Sequence, residues 1–375
     1  MTIQYEYSAN MKYIYDHLSD EKSREIFWAR LKLDMDKSYS NYLAMLSAAD
    51  YCVRDASLTI QETWDFISDI PQKRKKLFLY GAAGVGKSIM KCLSESNKHF
   101  DGFCDTYKHG QKIGGYDVIS PEALIKDKRN CYVIITAILG YKSILNYLKS
   151  NGFSDDQILY PFGRLPEPDE KPHQYFEFMQ YFHEGAFIDA GCFDCGTSFE
   201  FYNIVKSMGL SQHSPIIALE PDPDNFVNCE KVFLASDIPN AKVLNYALNS
   251  TETDLDFMSG NGSDSFVPDD HSLTSIEHSN GGCIKKVHAV KLDDIVNEKV
   301  GMIKMDIEGA ELDALIGAEK IIKRDKPLLA ICVYHKIGDV LAITDHIHSL
   351  VPEYKFKLRH YGLLDLETVL YAYIE

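Results

Sequence analysis

No run in this 375-residue chain approaches the roughly 20 consecutive apolar residues that a membrane-spanning helix needs. The most apolar stretches, around residues 131–139 and 328–334, have the length of strands. Positive charge is scarce: Lys plus Arg total 39 against 55 Asp plus Glu, a net charge of −16. That field repels phosphate backbones and anionic bilayers, which argues against a broad nucleic-acid-binding surface but not against a small pocket. Residues 1–12 lack an apolar signal core, so a cytoplasmic location is expected. Nine cysteines are an odd number, and most sit in apolar runs, as Cys131 and Cys332 do. Buried, reduced thiols are therefore expected instead of a disulfide framework. A compact His/Asp set with metal-ligand spacing is also missing, because His346 and His348 neighbour each other on a helical segment without sharing a face. A divalent cation near Asp306 is the alternative, but no metal is the expectation, and no internal repeat is found.

What remains is a globular composition, 45% hydrophobic and 25% charged. A length of about 150 residues per domain predicts two or three units. Residues 1–75 read as helices, with Ser19-Asp20-Glu21 capping the first strong one, and suit a helical cap or an arm for homo-oligomerisation. Alternating strands and helices over 76–163 predict a small Rossmann-like domain with a parallel sheet. Three prolines and five charges within 164–172 mark a linker, taken to extend to residue 184. A second alternating series fills 185–375 and ends in two closing strands.

The segment Gly81-Ala82-Ala83-Gly84-Val85-Gly86-Lys87-Ser88 matches the phosphate-binding P-loop pattern and follows a strand. It also reads as a dinucleotide turn with Gly81, Gly84 and Gly86, and Asp105 then stands where a ribose-binding acid belongs. A P-loop enzyme needs a later strand that delivers an acid to Mg²⁺, and the strand near Thr136 delivers none. The Rossmann-like reading is the better account of the fold. These glycines serve either a second nucleotide site or only a tight strand-to-helix turn.

The second loop, Phe187-Ile188-Asp189-Ala190-Gly191-Cys192-Phe193-Asp194-Cys195-Gly196-Thr197-Ser198, is again strand, turn and helix start. Cys192 and Cys195 form a CxxC at a helix N-terminus, the setting of a redox thiolate. No second redox signal accompanies it, and Asp189 and Gly191 belong to another pattern. S-adenosylmethionine needs a glycine that lets the backbone approach its methionine end, with acids such as Asp189 and Asp194 near its amino group. It also needs an acid at the end of the second strand for its ribose hydroxyls. Glu220, held by Pro221 at the end of Ile216-Ile217-Ala218-Leu219, supplies that acid at the edge where open α/β sheets bind ligands. The strand through Ala247 should border the adenine. Met302-Ile303-Lys304-Met305-Asp306 brings a further carboxylate to the same rim.

These residues resemble the FkbM family of S-adenosylmethionine-dependent methyltransferases. The resemblance rests on Ile188-Asp189-Ala190-Gly191, Leu219-Glu220-Pro221-Asp222, Val290-Lys291-Leu292-Asp293-Asp294 and, above all, Ile303-Lys304-Met305-Asp306-Ile307-Glu308-Gly309-Ala310-Glu311. It continues through Tyr334-His335-Lys336 to the C-terminal strands, and departs at Cys195, where the family usually has glycine. It implies an α/β protein whose Rossmann-like class I methyltransferase domain follows a smaller Rossmann-like domain and a helical segment. It further implies S-adenosyl-L-methionine as cofactor and a hydroxyl of a carbohydrate or other natural product as acceptor. Asp189, Gly191, Asp194, Glu220, Asp222 and Ala247 are the expected cofactor residues. Asp306 is the first catalytic candidate, to orient the acceptor or take its proton, followed by Glu308 and His335. Glu308 and Glu311 also suit a helix start without any catalytic role. The alternative is a nucleotide or nucleotide-sugar binder that uses Gly81–Ser88 and has a silent second domain. The polar segment Gly260-Asn261-Gly262-Ser263-Asp264-Ser265 reads as a loop that closes over the cofactor or merely lies at the surface.

Overall fold

A computed structural model describes residues 11–50, 56–70, 73, 75–137, 140–161, 173–259, 283–362 and 366–375. The polar segment at 260–265 and the proline-rich stretch at 164–172 lie outside the described residues. The described chain divides into two compact units. One holds residues within Glu25–Lys171 and Gly362–Leu366; the other holds those within Met1–Arg24, Pro172–Tyr361 and Glu367–Glu375.

The first unit is built on a sheet of strands β1 (Lys76–Tyr80), β2 (Gly102–Cys104), β3 (Lys112–Ile113), β4 (Tyr116–Ile119), β5 (Cys131–Ile135) and β6 (Ile158–Leu159). Their order is β3-β4-β2-β1-β5-β6, parallel except for β3. Side chains alternate across a strand, so Leu77 and Leu79 face one way while Phe78 and Tyr80 face the other. The first face is covered by Ile89 and Leu93 of the helix Gly84–Glu95. Leu43 and Leu46 of the helix Tyr39–Ala48 and Ile67 of the helix Ala56–Asp69 cover it too. The apolar stripes of these two N-terminal helices are thus consumed in the core of their own unit.

The second unit contains a seven-stranded sheet. Its strands are β7 (Ala186–Ala190), β8 (Ile216–Leu219), β9 (Ala241–Leu244), β13 (Val300–Met305), β14 (Leu328–Cys332), β15 (Lys355–His360) and β16 (Thr368–Tyr373). Between β9 and β13, β10 (Ala247–Leu248), β11 (Thr253–Ser259) and β12 (Cys283–Val290) form a separate small sheet. The large sheet runs β15-β16-β14-β13-β7-β8-β9, and β16 alone is antiparallel to its neighbours. Strands β7, β8, β13 and β14 are buried along their whole length, which is why they read as continuous apolar runs with no alternation. From β7 the chain winds outward to β8 and β9, then returns to β13 and winds the other way. Such a reversal opens a crevice at the C-terminal strand ends. Register aligns Ala190 with both Met305 and Leu219, so the residues that follow these strands emerge at one rim.

Two sequence expectations meet a different arrangement. Residues 173–184, taken as the end of a linker, supply Phe176, Phe178, Met179 and Phe182 to the core around Phe187 and Phe201. Their aromatic side chains bury more apolar surface than a solvated linker would carry. The start of the helical segment also belongs with the second unit. Leu18 bridges Phe356 in β15, and Asp20 binds Lys357 Nζ and Arg359 Nη2, each at 2.8 Å. Asp20 also accepts the Ser23 backbone N–H at 2.8 Å, capping the helix Glu21–Met35.

Candidate functional site

At the C-terminal rim of the large sheet lies an open cleft, lined among others by Gly191, Phe193, Glu220, Tyr246, Ala247, Asp306 and Glu308. The sequence-expected residues Gly191, Glu220, Ala247, Asp306 and Glu308 therefore meet at one place. Gly191 has φ of +74°, and a Cβ there would sit 2.0 Å from the Asp306 carbonyl oxygen. Only glycine fits where the β7 loop crosses the end of β13.

Glu220 ends β8 almost wholly buried. Its Oε2 accepts the Phe193 N–H and its Oε1 the Asp222 N–H, both at 2.9 Å. Burial pushes this carboxyl up to about 7, although the two amide hydrogen bonds pull the other way. Glu220 consequently ties the β7 loop to the start of the next helix while it faces the cleft. That loop is strained: Phe193 and Cys195 both adopt positive φ, a conformation that ordinarily favours glycine.

Three expected cofactor residues do not line the cleft. Asp189 is fully buried beneath it, 3.1 Å from Lys304 Nζ, and accepts the Ser198 hydroxyl at 2.7 Å. Asp222 accepts the amide of Asp224 at 2.9 Å and caps the helix Pro223–Leu234. Asp194 accepts the Gly196 N–H at 2.8 Å and braces the loop. Lys304 is the clamp under the site. It donates to the carbonyls of Ala190 at 3.2 Å and Gly191 at 2.7 Å. Burial alone would lower its pKa, but Asp189 and Asp306 outweigh that and raise it.

Asp306 accepts the Tyr175 hydroxyl on Oδ2 at 2.8 Å and the Tyr334 hydroxyl on Oδ1 at 3.1 Å. Burial would raise its pKa, yet Lys304, His335 and the two hydroxyls more than offset burial, and it falls below the usual carboxylate value. His335 Nε2 lies 3.5 Å from Asp306 and 3.4 Å from Glu308, while Nδ1 lies 2.9 Å from Glu311. Burial would depress the imidazole, but these three carboxylates, Glu311 foremost, raise it to about 9. Glu308 sits at positive φ just before Gly309, the backbone turn that brings its side chain to His335. Asp306, Glu308 and His335 place their donor atoms within 4.8 Å of one another, a grouping able to hold a cation. Sequence spacing did not reveal it, because His335 arrives from the loop that follows the neighbouring strand β14. Tyr175 and Tyr334 were missed as well. The aromatic run Tyr175-Phe176-Glu177-Phe178 was the available signal against a linker there.

The CxxC pair is buried beside Cys229, and Cys192 Sγ lies 3.7 Å from Cys229 Sγ. Contacts with Cys195 and Cys229, together with burial, push the Cys192 thiol up, the reverse of an activated thiolate.

In the first unit the glycine loop closes on itself. A Cβ on Gly86 would meet the Gly81 carbonyl at 2.0 Å, so close turn packing explains that glycine. Asp105 accepts the amides of Ala82 at 2.9 Å, Tyr107 at 2.9 Å and Lys108 at 3.1 Å. The Ser88 hydroxyl, which a P-loop turns toward Mg²⁺, donates to the Lys37 carbonyl at 2.8 Å. These contacts do the work of a tight structural turn.

The sequence model of the methyltransferase FkbM domain matches residues 190–358. No curated protein matches the chain in sequence. Among solved structures, methyltransferase FkbM from Methylobacillus flagellatus KT is similar with a TM-score of 0.50 and 19% identity, over 90% of this chain and 99% of that one. At that identity the likeness is one of fold. A precorrin-6y C5,15-methyltransferase from Geobacter metallireducens GS-15 aligns over 51% of this chain and 81% of its own, with TM-score 0.30 and 11% identity. An rRNA methylase from Streptococcus thermophilus aligns over 52% and 92%, with TM-score 0.32 and 13% identity. Both are too remote to carry weight. The rim residues Gly191, Glu220, Asp306 and Glu308 all fall inside the stretch 190–358 that the methyltransferase FkbM domain model matches.

Proposed function

We propose that this chain is an S-adenosylmethionine-dependent O-methyltransferase that acts on a hydroxyl of a carbohydrate or other small natural product. The observation that carries the reading is Glu220. It is a nearly buried carboxylate at the end of β8, fixed by two backbone amides and facing the same cleft as Asp306. A ribose diol is the kind of donor pair that satisfies such an acid at a Rossmann-like switch point. The cradle at Gly191, which a Cβ would fill, leaves the loop backbone close to the position a methionine end occupies. S-adenosylmethionine, when bound, supplies a methyl group already activated by its sulfonium.

The chain's own residues then have to orient the acceptor oxygen and exclude water. Asp306 suits the first task. Its lowered pKa makes it a weak base but a firm hydrogen-bond acceptor, held in place by Tyr175 and Tyr334. Ala247 and Leu248 supply an apolar wall for the adenine. Asp189, Asp194 and Asp222 support the loop and helix starts that build the site.

The test is transfer of isotopically labelled methyl to a panel of hydroxylated sugars and polyketides by wild type and Asp306→Asn. A labelled ether is expected, formed at least about 100-fold more slowly by the variant, the cost of a misplaced acceptor. Unchanged transfer by Asp306→Asn would remove that residue from the mechanism. Label found on nitrogen or carbon would overturn O-methylation.

A further inference from the structure

We propose that Asp306, Glu308 and His335 form a binding site for a first-row divalent cation, Zn²⁺ or Mn²⁺, at the edge of the cleft. The cation would present its remaining coordination positions to an acceptor oxygen. The grouping is one imidazole and two carboxylates with donor atoms within 4.8 Å of one another. Mixed nitrogen and oxygen donors of this kind suit first-row divalent metals. The two nitrogen–oxygen separations, 3.5 Å to Asp306 and 3.4 Å to Glu308, approach the edge of about 3.4 Å in a tetrahedron whose metal–ligand bonds are about 2.1 Å.

His335 is the independent observation. Its side chain is only 8% exposed, and its Nε2, 3.4 Å from Glu308 and 3.5 Å from Asp306, makes no directed hydrogen bond. A buried polar ring in that condition costs free energy unless something satisfies it. Its Nε2 is aimed between the two cleft carboxylates. Behind it, Nδ1 lies 2.9 Å from Glu311 Oε1, and the same Glu311 oxygen accepts the Ile307 N–H at 2.9 Å. A carboxylate backing the far nitrogen of an imidazole is the arrangement that orients a metal-bound histidine. Asp306 is likewise held from behind by Tyr175 and Tyr334, whose hydroxyls leave lone pairs on both of its oxygens. On loading, the ring would exchange its proton for the cation. Asp306 and Glu308 line the cleft directly, so a cation held there is open to the acceptor side. That last point alone rests on the methyltransferase reading.

The experiment uses the full chain after chelator dialysis. Zn²⁺ binding is measured by calorimetry and Mn²⁺ binding by the free-ion paramagnetic resonance signal, for wild type, His335→Ala, Glu308→Gln and Glu220→Ala. One saturable site per chain is expected for at least one of the two cations. It should weaken at least about tenfold in His335→Ala and Glu308→Gln, as loss of a ligand demands, and persist in Glu220→Ala. Because the chain carries a net charge of −16, nonspecific Mn²⁺ binding is anticipated, and dependence on the two variants is what identifies the site. Should His335→Ala fail to fold, Glu308→Gln decides, since its side chain is 34% exposed. No saturable site in wild type, or equal binding in wild type and Glu308→Gln, overturns the proposal. Binding of S-adenosylhomocysteine, measured separately, shows whether the methyltransferase reading stands or falls on its own.

Discussion

Replacing Lys304 by methionine tests how the cleft floor is held together. Lys304 and Asp189 are both almost fully buried, with Nζ 3.1 Å from Oδ1. The ammonium also serves the carbonyls of Ala190 and Gly191. Lys304→Met keeps the volume but strands the Asp189 charge, whose remaining hydrogen bond comes from Ser198. Removing one partner of a buried pair costs about 3–5 kcal/mol, whereas replacing the whole pair by neutral groups of similar size is often near neutral. Asp189→Asn/Lys304→Met should therefore recover most of what the single change loses. Hydrogen exchange of peptides covering β7 and β13 is the suitable assay. A loss of about 4 kcal/mol corresponds to roughly a thousandfold faster exchange at the most protected amides. Exchange within tenfold of wild type in Lys304→Met, or a double variant no slower than the single, would refute the argument.

Glu220 predicts a pH dependence. Its folded pKa is raised from 4.5 to about 7 by burial, so the stability it contributes is complete below the ordinary value and is lost as pH rises through 7. Ligand binding runs the opposite way, because ribose hydroxyls donate to the ionised form. Affinity for S-adenosylhomocysteine should rise about tenfold from pH 6 to pH 8, with no such slope in Glu220→Gln; a flat wild-type profile contradicts the assignment. At Gly191, alanine would place its Cβ 2.0 Å from the Asp306 carbonyl and carry a left-handed penalty of about 1–2 kcal/mol. Gly191→Ala is expected to lower the melting temperature by several degrees and to weaken S-adenosylhomocysteine binding more than tenfold; retention of wild-type affinity would show that the loop does not shape the cofactor site.

Much of the site was legible because it follows short, self-punctuating segments. Pro221 stops β8 just after Glu220, and the apolar run Met302–Met305 ends in Asp306, so each acid could be placed at a strand end without tertiary information. Asp222-Pro223 carried a second, unread signal. An acid followed by proline is a helix cap and first turn, and that is what the Asp222 side chain does. Asp189 could not be assigned from spacing, because its partner Lys304 lies on a strand that becomes its neighbour only when the sheet is wound. The convergence of His335 on Asp306 and Glu308 was hidden for the same reason. In the first unit, the match of Gly81–Ser88 to a phosphate loop reflects the turn geometry that both folds need. The inward Ser88 hydroxyl is a detail no pattern encodes.

The most direct measurement is a calorimetric titration of the wild-type chain with S-adenosylhomocysteine, repeated with Glu220→Ala. One site per chain in the micromolar range, weakened at least about 100-fold by loss of a buried charged acceptor and its two loop contacts, is the predicted result. Absence of binding to the folded wild-type protein would contradict the assignment of the cleft at β7, β8 and β13 to that cofactor.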